Sequence, residues 1–343
     1  MTTLLEFREK LKLFYARAEI YTTPLWKFLL AFLAFFMINL NVGFMARLKS
    51  PTIALVLAMV CCLLPVNMIA VFGGILILAH AYALSLEAFG VATVLILIML
   101  LLYFRMAPGY GYLLVAVPIT FAFKIPYVLP LVMGLVGTPV TAIPVACGTV
   151  VYYLLHYMKL NTAMLSESGT ETMQQKLLNL FENVVNNKEM LLLIVAFSLT
   201  ILLVYVIRKM SVDYAWYAAI IMGAITEFLV VLVGNLMLQT TIGILSLILG
   251  SLVAMGVAMV LQFFLFSVDY SRTEYVQFED DEYYYYVKAV PKITIAVSDK
   301  KVKKINTQRK SQPRTPSRSQ PKMSAKMQPP HRTTGSGKSG SRN

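Results

Sequence analysis

The sequence predicts an all-α polytopic bundle of transmembrane helices, carrying a small cytosolic β-hairpin and a disordered basic C-terminal tail. Three observations carry that prediction. Of 343 residues, 58% are hydrophobic and 14% charged, and the mean hydropathy of +0.69 lies well outside the soluble range. Apolar runs long enough to cross a hydrocarbon core of about 30 Å recur between residues 28 and 266. Charge is sharply divided: residues 1–299 hold 17 Lys/Arg and 17 Asp/Glu, so the net +13 belongs wholly to residues 300–343.

Residues 1–23 form a candidate cytoplasmic amphipathic helix. Leu4, Phe7, Leu11, Phe14 and Ala18 fall on one face, with Arg8, Lys10, Lys12 and Arg17 largely elsewhere. The pattern suits an interfacial helix resting on anionic lipid. It equally suits a plain helical extension of the first span. No cleavable signal peptide is evident, because the first apolar run begins near Lys27, follows Pro24 and is long enough to span.

The transmembrane domain covers residues 24–266. Its first two spans are read at 28–45 and 52–72. Residues 73–104 are too long for one ordinary span and short for two; with Glu87 and Gly90 near the middle, they divide into a short helix to about Glu87 and a second to Phe104. After a broken region come three firm spans at 191–207, 214–238 and 242–266. The count is about eight spans plus a broken or re-entrant element.

The broken region is the most informative. Six of the nine prolines before residue 290 lie within it: Pro108, Pro118, Pro126, Pro130, Pro139 and Pro144. Each removes a backbone donor and clashes with the preceding turn, so one unbroken helix across the region is not expected. Residues 138–158 read as a tilted helix starting at Pro139, and 112–136 as two half-helices meeting near Lys124. Freed carbonyls and an ammonium are tolerated in a membrane only where they are buried in protein or line a wet cavity. Lys124, with Pro118, Pro126 and Pro130 around it, is therefore the leading candidate for a substrate or ion pathway; the plain alternative is a loop lysine snorkelling to the interface.

Glu227, midway along 214–238, is the best buried acid, with Lys124 its natural partner. It reads either as a coupling carboxylate or counter-ion, or as half of a structural Lys–Glu staple. His80 and Glu87 lie two turns apart on one face, and Asn39, Asn41, Asn67 and Asn235 suit interhelical hydrogen bonding. Cys61, Cys62 and Cys147 lie in apolar segments and read as small core residues. Ser246, Gly250, Ala254 and Ala258 make a small-residue stripe for close helix packing, within the bundle or across a homo-oligomer.

Positive charge sets the orientation. Arg8 to Lys27, the Arg208–Lys209 loop and the basic tail all fit cytoplasmic N- and C-termini in a cell (plasma) membrane, while Arg47 and Lys49 oppose this scheme. The polar insert 159–189 then lies outside. Within it, Leu177, Leu178, Phe181, Val184 and Val185 predict an amphipathic helix over 173–187 that caps or packs on the bundle.

Residues 267–298 form the juxtamembrane segment. Within 273–290, β-rich runs flank the corner Glu279–Asp280–Asp281–Glu282, which reads as a hairpin and a platform for a cytosolic protein. Four adjacent acids without a glycine-turned loop read as a solvated turn rather than a metal site. The tail 299–343, rich in Lys/Arg, Ser/Thr, Pro and Gln, has little to bury and reads as disordered. It suits anionic lipid; lacking interleaved aromatics, it does not suit sequence-specific nucleic-acid recognition. No phosphate loop, HExxH or GxSxG motif occurs, so neither an enzyme nor a resident cofactor is expected.

The tract 267–291 (SVDYSRTEYVQFEDDEYYYYVKAVP), between a last span and a basic tail, resembles a juxtamembrane tract of uncharacterised polytopic proteins of clostridial-type bacteria. That resemblance implies a location and no activity. The broken helices around Lys124 are similar in style to those of secondary transporters, whose sites lie at discontinuous helices near the midplane. Two functions follow as expectations. One is a permease-like transporter of a small solute or ion, with its site at Lys124 and Glu227. The other is a non-catalytic membrane scaffold of a cell-envelope assembly, recruiting partners through the hairpin and tail.

Overall fold

The structure, a computed structural model, describes residues 2–166, 173–265 and 273–291. The expectations for the tail 299–343, and for residues 167–172 and 267–272, lie outside the described residues. Helix α1 (Thr2–Val42) runs unbroken for 41 residues with Pro24 inside it, so segments 1–23 and 28–45 are one element. A proline's fixed φ is itself helical, and the Leu- and Ala-containing run after it carries the axis on at the loss of one hydrogen bond. Leu4, Phe7, Leu11 and Phe14 are all exposed along its first half.

The expected second span does not survive intact. Helix α2 (Pro51–Leu63) starts with proline at its first turn, where the missing N–H costs nothing, and stops at Leu64. Leu64 precedes Pro65 and is extended, with φ −94° and ψ 167°, as pre-proline sterics require. Helix α3 (Met68–Leu84) then takes up the residues assigned to the end of that span. Ser85 closes α3 and caps α4 (Leu86–Met106), its Oγ accepting from the Ala88 N–H at 3.1 Å. His80 and Glu87 thus sit on different helices and share no face.

The broken region resolves into α5 (Tyr112–Ala122), α6 (Val128–Val136) and α7 (Ala142–Leu160), with single 3₁₀ turns at Pro108–Tyr110 and Pro139–Thr141. A short α8 (Thr162–Ser166) and α9 (Met173–Val185) follow, then α10 (Lys188–Lys209), α11 (Ala215–Leu238) and α12 (Ile244–Leu265). Helix α9 packs on α4 and α7. Its buried stripe is Leu180 and Val184 with half-buried Leu177, whereas Leu178, Phe181 and Val185 are exposed. The amphipathic helix is where the pattern placed it, rotated about one position from the expected face.

Contacts between chain-distant residues define two ends of the bundle. At one, Lys27 Nζ donates to the Leu64 carbonyl (3.2 Å), Asn67 Nδ2 to the Pro108 carbonyl (2.6 Å), and Thr138 Oγ1 to Tyr110 (3.5 Å). At the other, Lys159 Nζ donates to Asn41 Oδ1 (3.0 Å), and the Thr241 N–H to Glu189 Oε1 (2.9 Å). The long helices run between these ends. Helices α5 and α6 enter from the first end, turn at residues 123–127, and return to it.

Six described helices are long and apolar enough to cross a membrane: Leu4–Val42, Leu86–Met106, Pro139–Leu160, Leu177–Lys209, Ala215–Leu238 and Ile244–Leu265. At 13 and 17 residues, α2 and α3 are about 20 and 26 Å long. The architecture is compatible with an integral, multi-pass membrane protein.

Apolar burial falls into two cores. The first joins α1–α4 and α9 to one side of α5 and α7. The second joins α6 and α10–α12 to the other side, through Leu113 and Val117 of α5 and Val145 and Tyr153 of α7. The two shared helices approach closely because Gly148 lacks a side chain: a Cβ there would lie 2.7 Å from that of Val117.

The hairpin pairs β1 (Glu274–Glu279) with β2 (Tyr284–Ala289) antiparallel, in a register that sets Phe278 opposite Tyr285. Their rings stack at 4.9 Å. Asp280 Oδ1 accepts the N–H groups of Glu282 (2.9 Å) and Tyr283 (2.8 Å), and Tyr285 OH donates to Oδ2 at 3.0 Å. The acidic corner is a side-chain-closed turn. Lys288 Nζ donates to Asp213 Oδ1 at 2.7 Å, tying the hairpin to the loop between α10 and α11.

Candidate functional site

Lys124 terminates α5 in a left-handed conformation, with φ 60°. The N–H of Ile125 bonds to the Thr120 carbonyl and that of Lys124 to the Phe121 carbonyl, both at 2.9 Å. These are the two bonds of a Schellman cap, whose left-handed position is normally glycine. A non-glycine residue held there costs about 1–3 kcal/mol of strain. Pro126, two residues on, prevents the helix from resuming. The sequence therefore puts a long cation on a backbone position that its own sterics disfavour, at the tip of a half-helix.

That tip opens on a cavity of about 330 Å³ walled by α1, α3, α4, α5 and α7. Most of the wall is apolar or glycine. The polar side chains gather toward the second end of the bundle: Asn41, Lys124, Tyr152, His156 and Lys159. Lys124, His156 and Lys159 are all exposed. Asn41 uses its Nδ2 on the Met37 carbonyl (3.0 Å), which leaves Oδ1 to accept from Lys159. Among the described residues, no carboxylate lines the cavity. Its mouth is therefore net positive, and the C-terminal dipole of α5 favours the ammonium at its tip.

Of the three expected prolines, only Pro118 lines this cavity. It lies inside α5 and removes the donor that the Leu114 carbonyl would otherwise meet. Pro126 belongs to the link between the half-helices. Pro130 is buried in α6, which leaves the cavity to pack on α10 and α12. The N-terminus of α6 thus contributes no dipole to the cavity.

Arg208 fixes the far end of α6. Its guanidinium donates to the Leu135 carbonyl and, at 2.6 Å, to the Gly137 carbonyl, meeting two of the C-terminal orphan acceptors of that half-helix. It also lies over Tyr205 and Trp216, 5.1 and 5.9 Å from the ring centroids.

Glu227 lies in the second core, on the α11 stripe between Gly223 and Val231, and is fully buried. Gly223 of that stripe faces Val204 of α10 and Leu131 of α6. Among the described residues, neither carboxyl oxygen has a hydrogen-bond partner. The expected pairing with Lys124 is not formed, because each residue belongs to a different core. An ionised carboxylate left alone in such a place costs several kcal/mol, of order 5.

The small-residue stripe of α12 turns Gly250, Ala254 and Ala258 inward, with Leu247 in place of the exposed Ser246. A Cβ on Gly250 would lie 2.5 Å from the Tyr127 ring, so this glycine admits the aromatic that leads into α6. His80 is structural: Nδ1 accepts the Met45 N–H (3.2 Å) and Nε2 donates to Asn39 Oδ1 (2.9 Å), while Asn39 Nδ2 holds the Leu48 carbonyl (3.0 Å). Asn235 Nδ2 donates to the Ile242 carbonyl at 2.9 Å and braces the turn into α12. Cys61 and Cys147 are buried, and all three cysteines are free thiols.

Sequence reasoning missed His156 and Lys159 at the mouth and Arg208 as a cap. Lys159 was legible only as the start of a polar insert, and Arg208 only as a topological charge. The signal for the first pair was their i, i+3 spacing at the end of a span, on one helix face. Against protein-family models, curated proteins and solved structures, the chain matches none.

Proposed function

We propose that this chain is an eight-span cell-membrane protein with both termini cytoplasmic, working as a permease-like carrier whose solute site is the cavity beneath Lys124. α2 and α3 supply the two crossings beyond the six long helices, and α5 with α6 forms a re-entrant hairpin entering from the cytoplasmic side. The site then faces outward, on the side of the insert 159–189. Lys124 and Lys159 contact an anionic group, and Pro118 keeps the α5 wall irregular. Glu227 is set apart from that site and serves, if at all, as a coupling group in the second core. The exposed stripe of α1 and the basic tail rest on anionic lipid.

One observation carries this reading: a lysine held at a disfavoured backbone position on the rim of a cavity whose described lining holds two lysines and no carboxylate. Strain retained at a rim is expected where the side chain serves a ligand. The test is water access beside Lys124, with the lysine kept. With Cys61, Cys62 and Cys147 changed to Ala, Ala122→Cys on the exposed cavity wall is probed in intact cells with a membrane-impermeant thiol reagent. Labelling that falls when a mixture of anionic solutes is added supports a solute site; labelling that no solute alters removes it.

The scaffold reading rests on a different observation. Tyr275, Tyr284 and Tyr286 stand exposed on the hairpin, and Lys288 anchors it to Asp213. Exposed aromatics on a held platform suit a protein partner. Under that reading Lys124 is replaceable and residues 273–343 are not.

A further inference from the structure

We infer that the cavity takes a single-chain amphiphile with an anionic head, a carboxylate or phosphate on an unbranched apolar tail; the inference rests on the reading of this cavity as the solute site. The wall has two zones. Its deep part is built by Ala70, Gly73 and Ile77 of α3 with Ile96 and Met99 of α4, none of which offers a side-chain hydrogen bond. A sugar, an amino acid or a hydrated inorganic ion placed there would lose its water with nothing in exchange. An alkyl chain would lose nothing and would gain apolar burial.

The mouth selects the head. Lys124 brings three N–H donors, and Lys159, which spends one on Asn41, keeps two. His156 and Tyr152 stand beside them, and among the described residues no carboxylate offsets the charge. Such a rim repels a cationic head and holds a carboxylate or phosphate by charge-assisted hydrogen bonds. Volume then limits the tail. About 330 Å³ is at the small end of ligand pockets, which run from roughly 300 to 1,000 Å³, and it houses one chain rather than the two of a phospholipid.

The experiment uses the full chain in nanodiscs of zwitterionic lipid and a diazirine-bearing decanoate, with crosslinks mapped by peptide mass spectrometry. Labelling is expected within residues 70–77 and 96–100. Unlabelled decanoate and decyl phosphate should suppress it about tenfold, whereas decyltrimethylammonium, acetate and inorganic phosphate should not. The double variant Lys124→Gln, Lys159→Gln and the cavity-filling Val115→Phe should each lower it several-fold. Lys124→Gly, whose backbone suits the turn, gives the same reading should the double variant fold poorly.

Adding the probe in donor vesicles rather than in water separates delivery from the leaflet and delivery from solution, and site labelling by either route supports the inference. Crosslinks confined to lipid-facing residues such as Leu97 and Leu101, or unchanged in every variant, overturn it. Acetate or phosphate protecting Ala122→Cys from the thiol reagent, with no tailed competitor doing so, overturns the amphiphile and leaves the solute site standing. Protection by neither kind of solute ends both.

Discussion

Arg208 donates to the Gly137 carbonyl at 2.6 Å across 71 residues of chain, so the last turn of α10 caps carbonyls at the end of a half-helix. Removing it leaves carbonyls of α6 unmet in an apolar setting. Arg208→Gln should lower stability by about 1.5–3 kcal/mol, the range for hydrogen bonds to a charged group. Arg208→Lys should recover little, because one ammonium does not reproduce a planar fork over two acceptors. Thermal unfolding of the purified protein checks both; equal midpoints for Lys and wild type would count against the cap.

Lys124 makes an opposed pair of effects separable. Lys124→Gly relieves the left-handed strain and should raise stability by about 1 kcal/mol, while Lys124→Val, β-branched at positive φ, should lower it by a similar amount. Both should abolish solute protection of Ala122→Cys on the cavity wall. A glycine variant less stable than wild type would mean that the lysine side chain contributes packing the cavity geometry does not show.

Glu227 should be dispensable for folding. Replacing an unpartnered buried acid with a side chain that needs no partner removes a desolvation cost, so Glu227→Leu is expected to stabilise by about 1–3 kcal/mol. A fall in the unfolding midpoint would show that the carboxyl group does find a partner.

Gly250 is where the reach of Tyr127 is set. With a Cβ 2.5 Å from the ring, Gly250→Leu must move either the aromatic or α12, an overpacking cost of about 1–3 kcal/mol. Solute protection at Ala122→Cys should weaken as well, since Tyr127 leads into the helix that follows the tip. Circular dichroism melts paired with the labelling assay distinguish the two.

The Asp280 carboxyl is held below the usual carboxylate range, first by the Glu282 N–H, then by the Tyr283 N–H and Tyr285 hydroxyl. A group whose folded pKa is depressed adds stability that is present above its unfolded value, near 3.9, and is lost as pH falls through the folded value. The hairpin should therefore loosen only in strong acid. In Asp280→Ala that acid transition should vanish, with the turn already loosened at neutral pH. Tyrosine fluorescence of the hairpin follows it.

Much of this architecture was legible because hydrophobic runs and prolines act locally. The break at Lys124, the amphipathic insert helix and the hairpin with its acidic corner all follow from neighbours in sequence. Pro65 was equally visible, yet an apolar run across it reads as continuous when composition outweighs one residue. The site was half legible. Lys124 was found because a charge in an apolar stretch is conspicuous, and Glu227 for the same reason. Their separation was not, since it depends on α5 and α6 turning to different partners, Gly148 admitting one helix and Arg208 fixing the other. Long-range choices of that kind leave no local periodicity.

The two cores meet along α5 and α7, and this common wall has a consequence for how the protein can change over generations. A substitution on α5 is read by both cores at once, since Val117 faces one while Pro118 faces the cavity. Substitutions at the cavity-lining positions of α3 or α4 are read by the first core alone. The cavity's deep part can therefore be reshaped from α3 and α4 without disturbing the second core, while α5 and α7 are held from both sides as the shared partition of the molecule.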